Sequence, residues 1–137
     1  MVYDAVYPYM RGGGEVHVRG LAERLAARGH DVHLVGMCLW DGPAVRKEGE
    51  LTLHGVTPAR AFYGDDGKRR TLPAIEFATG VSRLLCAERF DVVDCCAFPF
   101  FPALALGLLG GVGRFKSPWT LTWFEVWDRY FVDYLGV

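Results

Sequence analysis

The chain has no surplus of charge of either sign. Fifteen Lys and Arg stand against sixteen Asp and Glu over 137 residues, a formal net charge of −1. That excludes the basic field by which proteins hold a nucleic-acid backbone, and no acidic tail is present. Cysteine is sparse and unpatterned. Cys38, Cys86, Cys95 and Cys96 form no C-x-x-C pair, and the neighbours Cys95 and Cys96 cannot readily share one disulfide or zinc site. They read as buried, reduced thiols of a cytosolic protein. The four histidines, His17, His30, His33 and His54, lack helical ligand spacing. His30 and His33, three apart in a strand region, face opposite sides. No metal is expected.

Other absences narrow the chemistry. There is no G-x-S-x-G nucleophile elbow. No Gly-Lys-Ser/Thr follows the glycines, so the P-loop is excluded, and from Gly12 the third glycine of G-x-G-x-x-G falls on His17. No signal peptide opens the chain, and no repeat, low-complexity tract or linker divides it. The run "CCAFPFFPALALGLLGGVG" is nearly long enough to span a bilayer. Its prolines and the strand before it assign it instead to a buried strand, loop and helix, so no transmembrane segment is expected.

What is present suits one domain with a real core. Apolar residues make up 51% and aromatics 14%. "VYDAV" reads as a first strand. Val18, Leu21, Ala22, Leu25 and Ala26 then recur at i, i+3, i+4, i+7 and i+8, one face of a helix, which Gly29 ends. "DVHLVG" and "LTLHGV" read as strands. Pro73 suits the first turn of a second helix, with Ile75, Ala78, Val81, Ser82 and Leu85 on one face. "FDVVDC" is a fourth strand, "FFPALALGLL" a helix ended by Gly110 and Gly111, and "SPWTLTW" a fifth strand. This order predicts an α/β, open, doubly wound parallel sheet of about five strands, Rossmann-like in character.

Ligands of such sheets sit beyond the carboxyl ends of the strands. Two stretches lie there: residues 7–15 after the first strand, and 124–127 after the fifth. Gly12, Gly13 and Gly14 meet the start of a helix, where free N–H groups hold phosphate or carboxylate well. The plain alternative is a tight turn needing φ > 0. Glu15 sits in the first helical turn, where it complements the helix dipole or binds ligand. Arg11 either offsets that charge or is solvated. Asp94, at the end of its strand, has better site geometry than Asp91. Glu125 stands among Trp123, Trp127 and Tyr130, a set that suits sugar binding and equally an aromatic core patch.

Taken in order, "VYDAVYP", "GGGE", "LAERLAARGHDVHLVGM", "WDGP", "FDVVDCCAFPFFPAL" and "TWFEVW" resemble the N-terminal domain of family 4 glycosyltransferases over nearly the whole chain. The resemblance implies the N-terminal half of a GT-B fold: two Rossmann-like domains around a cleft, and retaining transfer of a sugar (hexosyltransferase type) without cofactor or metal. The substrates it implies are a nucleotide-sugar donor and a glycan, lipid or small-molecule acceptor. It places Gly12 to Gly14 near the donor diphosphate. Residues 1–137 are then the acceptor-side domain, apparently truncated. The C-terminal donor-binding domain is absent from them, which leaves a role for a donor-domain partner. The family usually has His-Glu where this chain has Phe124-Glu125, and that His contacts the reacting sugar or acceptor. Without the donor-binding domain the chain alone is expected to be inactive, and Phe124, which can neither donate a hydrogen bond nor carry a proton, weighs against transfer even with a partner. The alternatives are a non-catalytic phosphate- or sugar-binding module and a degenerate remnant. The expected setting is the cytoplasm, with the inner face of the membrane as an alternative.

Overall fold

A computed structural model describes residues 1–65 and 67–124. Helix α1 spans Gly13–Ala26, β1 Val32–Cys38, β2 Val45–Glu48, β3 Leu51–Pro58, α2 Thr71–Ala87, β4 Val93–Cys96, α3 Phe100–Gly111 and β5 Trp119–Thr122. Among the described residues, no helix is long and apolar enough to cross a membrane.

The fold is mixed α/β with parallel pairings. β1 runs parallel to β3, from Val32↔Leu51 to Cys38↔Pro58, and β4 parallel to β5, from Val93↔Trp119 to Cys96↔Thr122. β2 is antiparallel to β3, a hairpin turned at Gly49, whose φ of +60° suits a residue without Cβ. The five strands therefore divide into a sheet ordered β1-β3-β2 and a pair β4-β5, not one simple five-stranded sheet. The expected first strand, residues 2–6, contracts to a bridge at Val2, which pairs with both Val35 and Cys95. Around it, Val2 N–H donates to Asp94 and Tyr3 N–H to Val35, while Asp4 O accepts from Met37 N–H. The segment thus links the two sheets before the chain turns away.

Side-chain alternation sorts the helices. Leu34, Leu51, Leu53 and Cys96 pack with Val18 and Ala22 of α1. Val35, Met37, Val93 and Cys95 pack with Phe77, Val81 and Leu85 of α2 and Leu106 of α3. Successive strand residues thus point to α1 on one side and to α2 and α3 on the other. Two expected core positions, Leu21 and Ile75, are exposed. Ile75 lies about 200° around α2 from the fully buried Phe77, so centring the stripe on Phe77 turns it outward. Pro73 lies in the first turn, as its residue type favours.

The thiols divide. Cys95 and Cys96 are buried, Cys38 is half-buried and Cys86 is exposed, so the expectation of four buried thiols holds for the pair in β4. Burial pushes the Cys95 thiol up to about 12, helped by the Asp94 charge, and burial likewise raises Cys96. Since the thiolate is the reactive form, a disulfide reagent at neutral pH should modify Cys86 promptly and leave Cys95 and Cys96 until the chain is unfolded. Mass mapping of the labelled peptides checks this; rapid labelling in β4 would refute it.

Candidate functional site

The first strand segment delivers the chain to the loop before α1. That loop is held from below by the hairpin. The Arg46 guanidinium lies 5.4 Å from the Tyr9 ring centroid and 5.3 Å from that of Trp40. Glu48 accepts from Tyr9 Oη at 3.1 Å and pairs with Arg46 and Arg19, each at 2.7 Å. β2, which has no apolar alternation to mark it, therefore ties the loop to α1.

Gly12 precedes the helix in extended conformation, with φ −150° and ψ 178°, and no side chain caps the first turn. None of Gly12, Gly13 and Gly14 has positive φ, so the turn does not require glycine for left-handed backbone. Two of them have a close neighbour. A Cβ at Gly14 would fall 2.8 Å from Tyr3 Oη, and one at Gly12 would fall 2.5 Å from Glu15 Oε2. At Gly13 a Cβ would meet no atom within 4 Å. Nothing among the described residues accounts for its bareness.

The Glu15 carboxylate folds back over Gly12, where the N-terminal end of the helix dipole favours a negative charge. Burial, and then the Glu15 charge, raise the Tyr3 phenol well above its ordinary value, so it remains a hydroxyl donor. Phe124 comes to the same place. Its ring meets His17 edge-on, with centroids 5.4 Å apart, and lies 6.3 Å from Tyr3. Phe124 and His17 are exposed. The structure thus brings together Gly12, Gly13, Gly14, Glu15 and Phe124, with Arg11 exposed beside them.

A buried ion pair adjoins this face. Asp4 is 1% exposed and bonds to Arg69, which is also largely buried. Asp4 Oδ1 has no hydrogen-bond partner. Burial raises the Asp4 carboxyl to about 6, against the pull of Arg69. The Arg69 guanidinium stacks 4.6 Å from the Phe98 ring centroid and 5.2 Å from that of Phe62.

Asp94 sits elsewhere. It is the second residue of β4, and its Oδ1 accepts from Thr120 and Thr122 on β5, at 2.9 and 2.7 Å. Those bonds join the two strands rather than face the loop. Glu125 lies outside the described residues, as do Trp127 and Tyr130.

An uncapped helix start, a glycine whose missing Cβ has no described atom within 4 Å, and the rings of Tyr3 and Phe124 stand together on this face. The family model of Glycosyltransferase Family 4 matches residues 11–135. The chain belongs to glycosyltransferase family 4. No curated protein matches the sequence closely enough to be counted a relative.

For this family 4 domain, residue-by-residue reading of the sequence missed Tyr3, Asp4, His17 and Arg69. Asp4 had a signal: a carboxylate inside the apolar run "VYDAV" must find a cation, and Arg69 is its partner. His17 follows Gly13 by one helical turn, which places it above the loop. Nothing local marks Tyr3, whose role depends on the close approach of Gly14.

Proposed function

We propose that residues 1–137 form the acceptor-side, N-terminal domain of a retaining glycosyltransferase that moves a sugar from a nucleotide-sugar donor to an acceptor. In this reading the sheet is the doubly wound half of a GT-B fold, and a donor-binding domain supplies the nucleotide site. Gly12 to Gly14 receive the donor diphosphate on backbone N–H groups, with Arg11 available to offset its charge. Glu15, Phe124 and Glu125 face the sugar or acceptor. No metal or cofactor takes part in transfer. The setting is the cytoplasm, free or at the inner face of the membrane.

One observation carries this reading beyond the family: Gly13 lacks a side chain although neither its backbone angles nor its neighbours require that. A ligand approaching the main chain does require it. Phe124, exposed against His17 and Tyr3, supplies contact area beside the loop but no hydrogen bond.

Catalysis by such enzymes rests on positioning both substrates and on stabilising charge at the leaving diphosphate. One side of a cleft does neither. The 137-residue chain incubated with nucleotide sugars and a panel of glycan and lipid acceptors is therefore expected to release no nucleotide above background. The same residues joined to a family donor domain should do so. Acceptor-dependent release by the 137 residues alone, or none by any joined form, would contradict the proposal.

A further inference from the structure

A second cluster lies near the start of β1, on the side of the sheet that packs against α2. Pairing of β1 with β3 brings His33 Nδ1 within 2.8 Å of His54 Nε2, and the two rings stack with centroids 5.0 Å apart. His54 is 4% exposed, and its Nδ1 is buried without a hydrogen-bond partner. Glu88, the residue that closes α2, places its carboxylate over the pair. One ligand atom from each of His33, His54 and Glu88 lies within 4.8 Å of the others. Asp31 Oδ2 is 3.3 Å from His33 Nε2.

We propose that His33, His54 and Glu88 form a site for a zinc-class divalent cation, which fastens β1, β3 and the end of α2 together. Two imidazole nitrogens and a carboxylate oxygen are a ligand set that zinc accepts, leaving a fourth position for water. With zinc–nitrogen bonds of about 2.0–2.1 Å, tetrahedral ligands stand about 3.3 Å apart. For the ion to replace their shared proton, the two nitrogens separate by about half an ångström, the rings turn their lone pairs toward it, and the Glu88 oxygen, now within 4.8 Å, draws in. Asp31 holds the far nitrogen of His33 and leaves Nδ1 to bind, the arrangement that orients metal-bound histidines. His54 Nε2 is the nitrogen that faces His33, and among the described residues its Nδ1 has no partner.

The surroundings favour the ion on balance. The C-terminal end of α2 adds partial negative charge. Against it stand the Met1 ammonium, which donates to the His33 carbonyl at 2.6 Å, and Lys47, 3.8 Å from Asp31. Lys47 is exposed, and solvent screens its charge. Nothing here touches the glycine loop, so the role is structural and separate from transfer.

Cobalt(II), which substitutes for zinc and absorbs visible light, tests the site. Titration of the metal-stripped 137-residue chain should give one saturating equivalent with intensified visible bands, displaced by zinc. Asp31→Asn should weaken binding about 10- to 100-fold. Glu88→Gln, at an exposed position that spares the fold, should weaken it at least about tenfold, on the same scale. His33→Ala with His54→Ala should abolish it, and Cys86→Ser should leave it unchanged. No bands in the parent chain would overturn the site. So would unchanged affinity in both Glu88→Gln and Asp31→Asn, or bands lost only in Cys86→Ser.

Discussion

Arg69→Leu should lower the unfolding free energy by about 3–5 kcal/mol at pH 8, the range for leaving one member of a buried ion pair without its partner. Asp4 is almost fully buried, one of its oxygens lacks a hydrogen bond, and among the described residues Arg69 is the cation that pairs with it. The loss should depend on pH. In the folded chain the Asp4 carboxyl holds its proton up to about pH 6, against an ordinary value of 3.8. The folded state therefore binds more protons than the unfolded state between those values, and this group's contribution makes stability fall as pH rises from about 4 to 6. Without Arg69, whose charge lowers that pKa, the carboxyl would stay protonated to higher pH. The variant's deficit should then be smaller at pH 5 than at pH 8. Urea unfolding at the two pH values measures both effects. A deficit under about 1 kcal/mol at pH 8, or one independent of pH, would show that Asp4 is not held by Arg69.

The second large effect concerns ligand affinity rather than folding. Gly13→Ala should leave stability nearly unchanged, because the added methyl meets no atom of the described residues within 4 Å and alanine is the better helix former. In the protein joined to a donor domain it should nevertheless weaken nucleoside diphosphate binding about 10- to 100-fold. That corresponds to losing one hydrogen bond to a charged group, at about 1.5–3 kcal/mol. Arg28→Ala, an exposed change past the far end of α1, is the control. Calorimetric titration with a nucleoside diphosphate, beside a melting curve for each variant, separates affinity from folding. A stable Gly13→Ala protein with undiminished affinity would remove the diphosphate from the loop.

Elements with a repeating apolar face were legible in the sequence. α1 could be read from the spacing of Val18, Ala22 and Leu25, and β4 from the apolar residues around Asp94. β2 could not, because its residues Val45 to Glu48 alternate between exposed and half-buried and its strand exists by pairing with β3. The first strand was read too long, since pairing at Val2 depends on β1 and β4 lying on either side. The same limit applies to the sites. The glycine loop is contiguous and visible, and family resemblance drew attention to Phe124. The contacts of Tyr3, His17 and Arg69 join residues far apart in the chain. His33 and His54 have no meaningful spacing along it, and only the register of β1 against β3 makes them neighbours.

A diphosphate in the loop would meet particular backbone N–H groups, and these can be observed one by one. In the protein joined to a donor domain, addition of a nucleoside diphosphate should shift the amide resonances of Gly13, Gly14 and Glu15 most among those of α1 and its preceding loop. The amides at the far end of α1, at Ala27 and Arg28, should remain still. Saturable shifts elsewhere in the protein, with the Gly13 and Gly14 amides unmoved, would contradict the account.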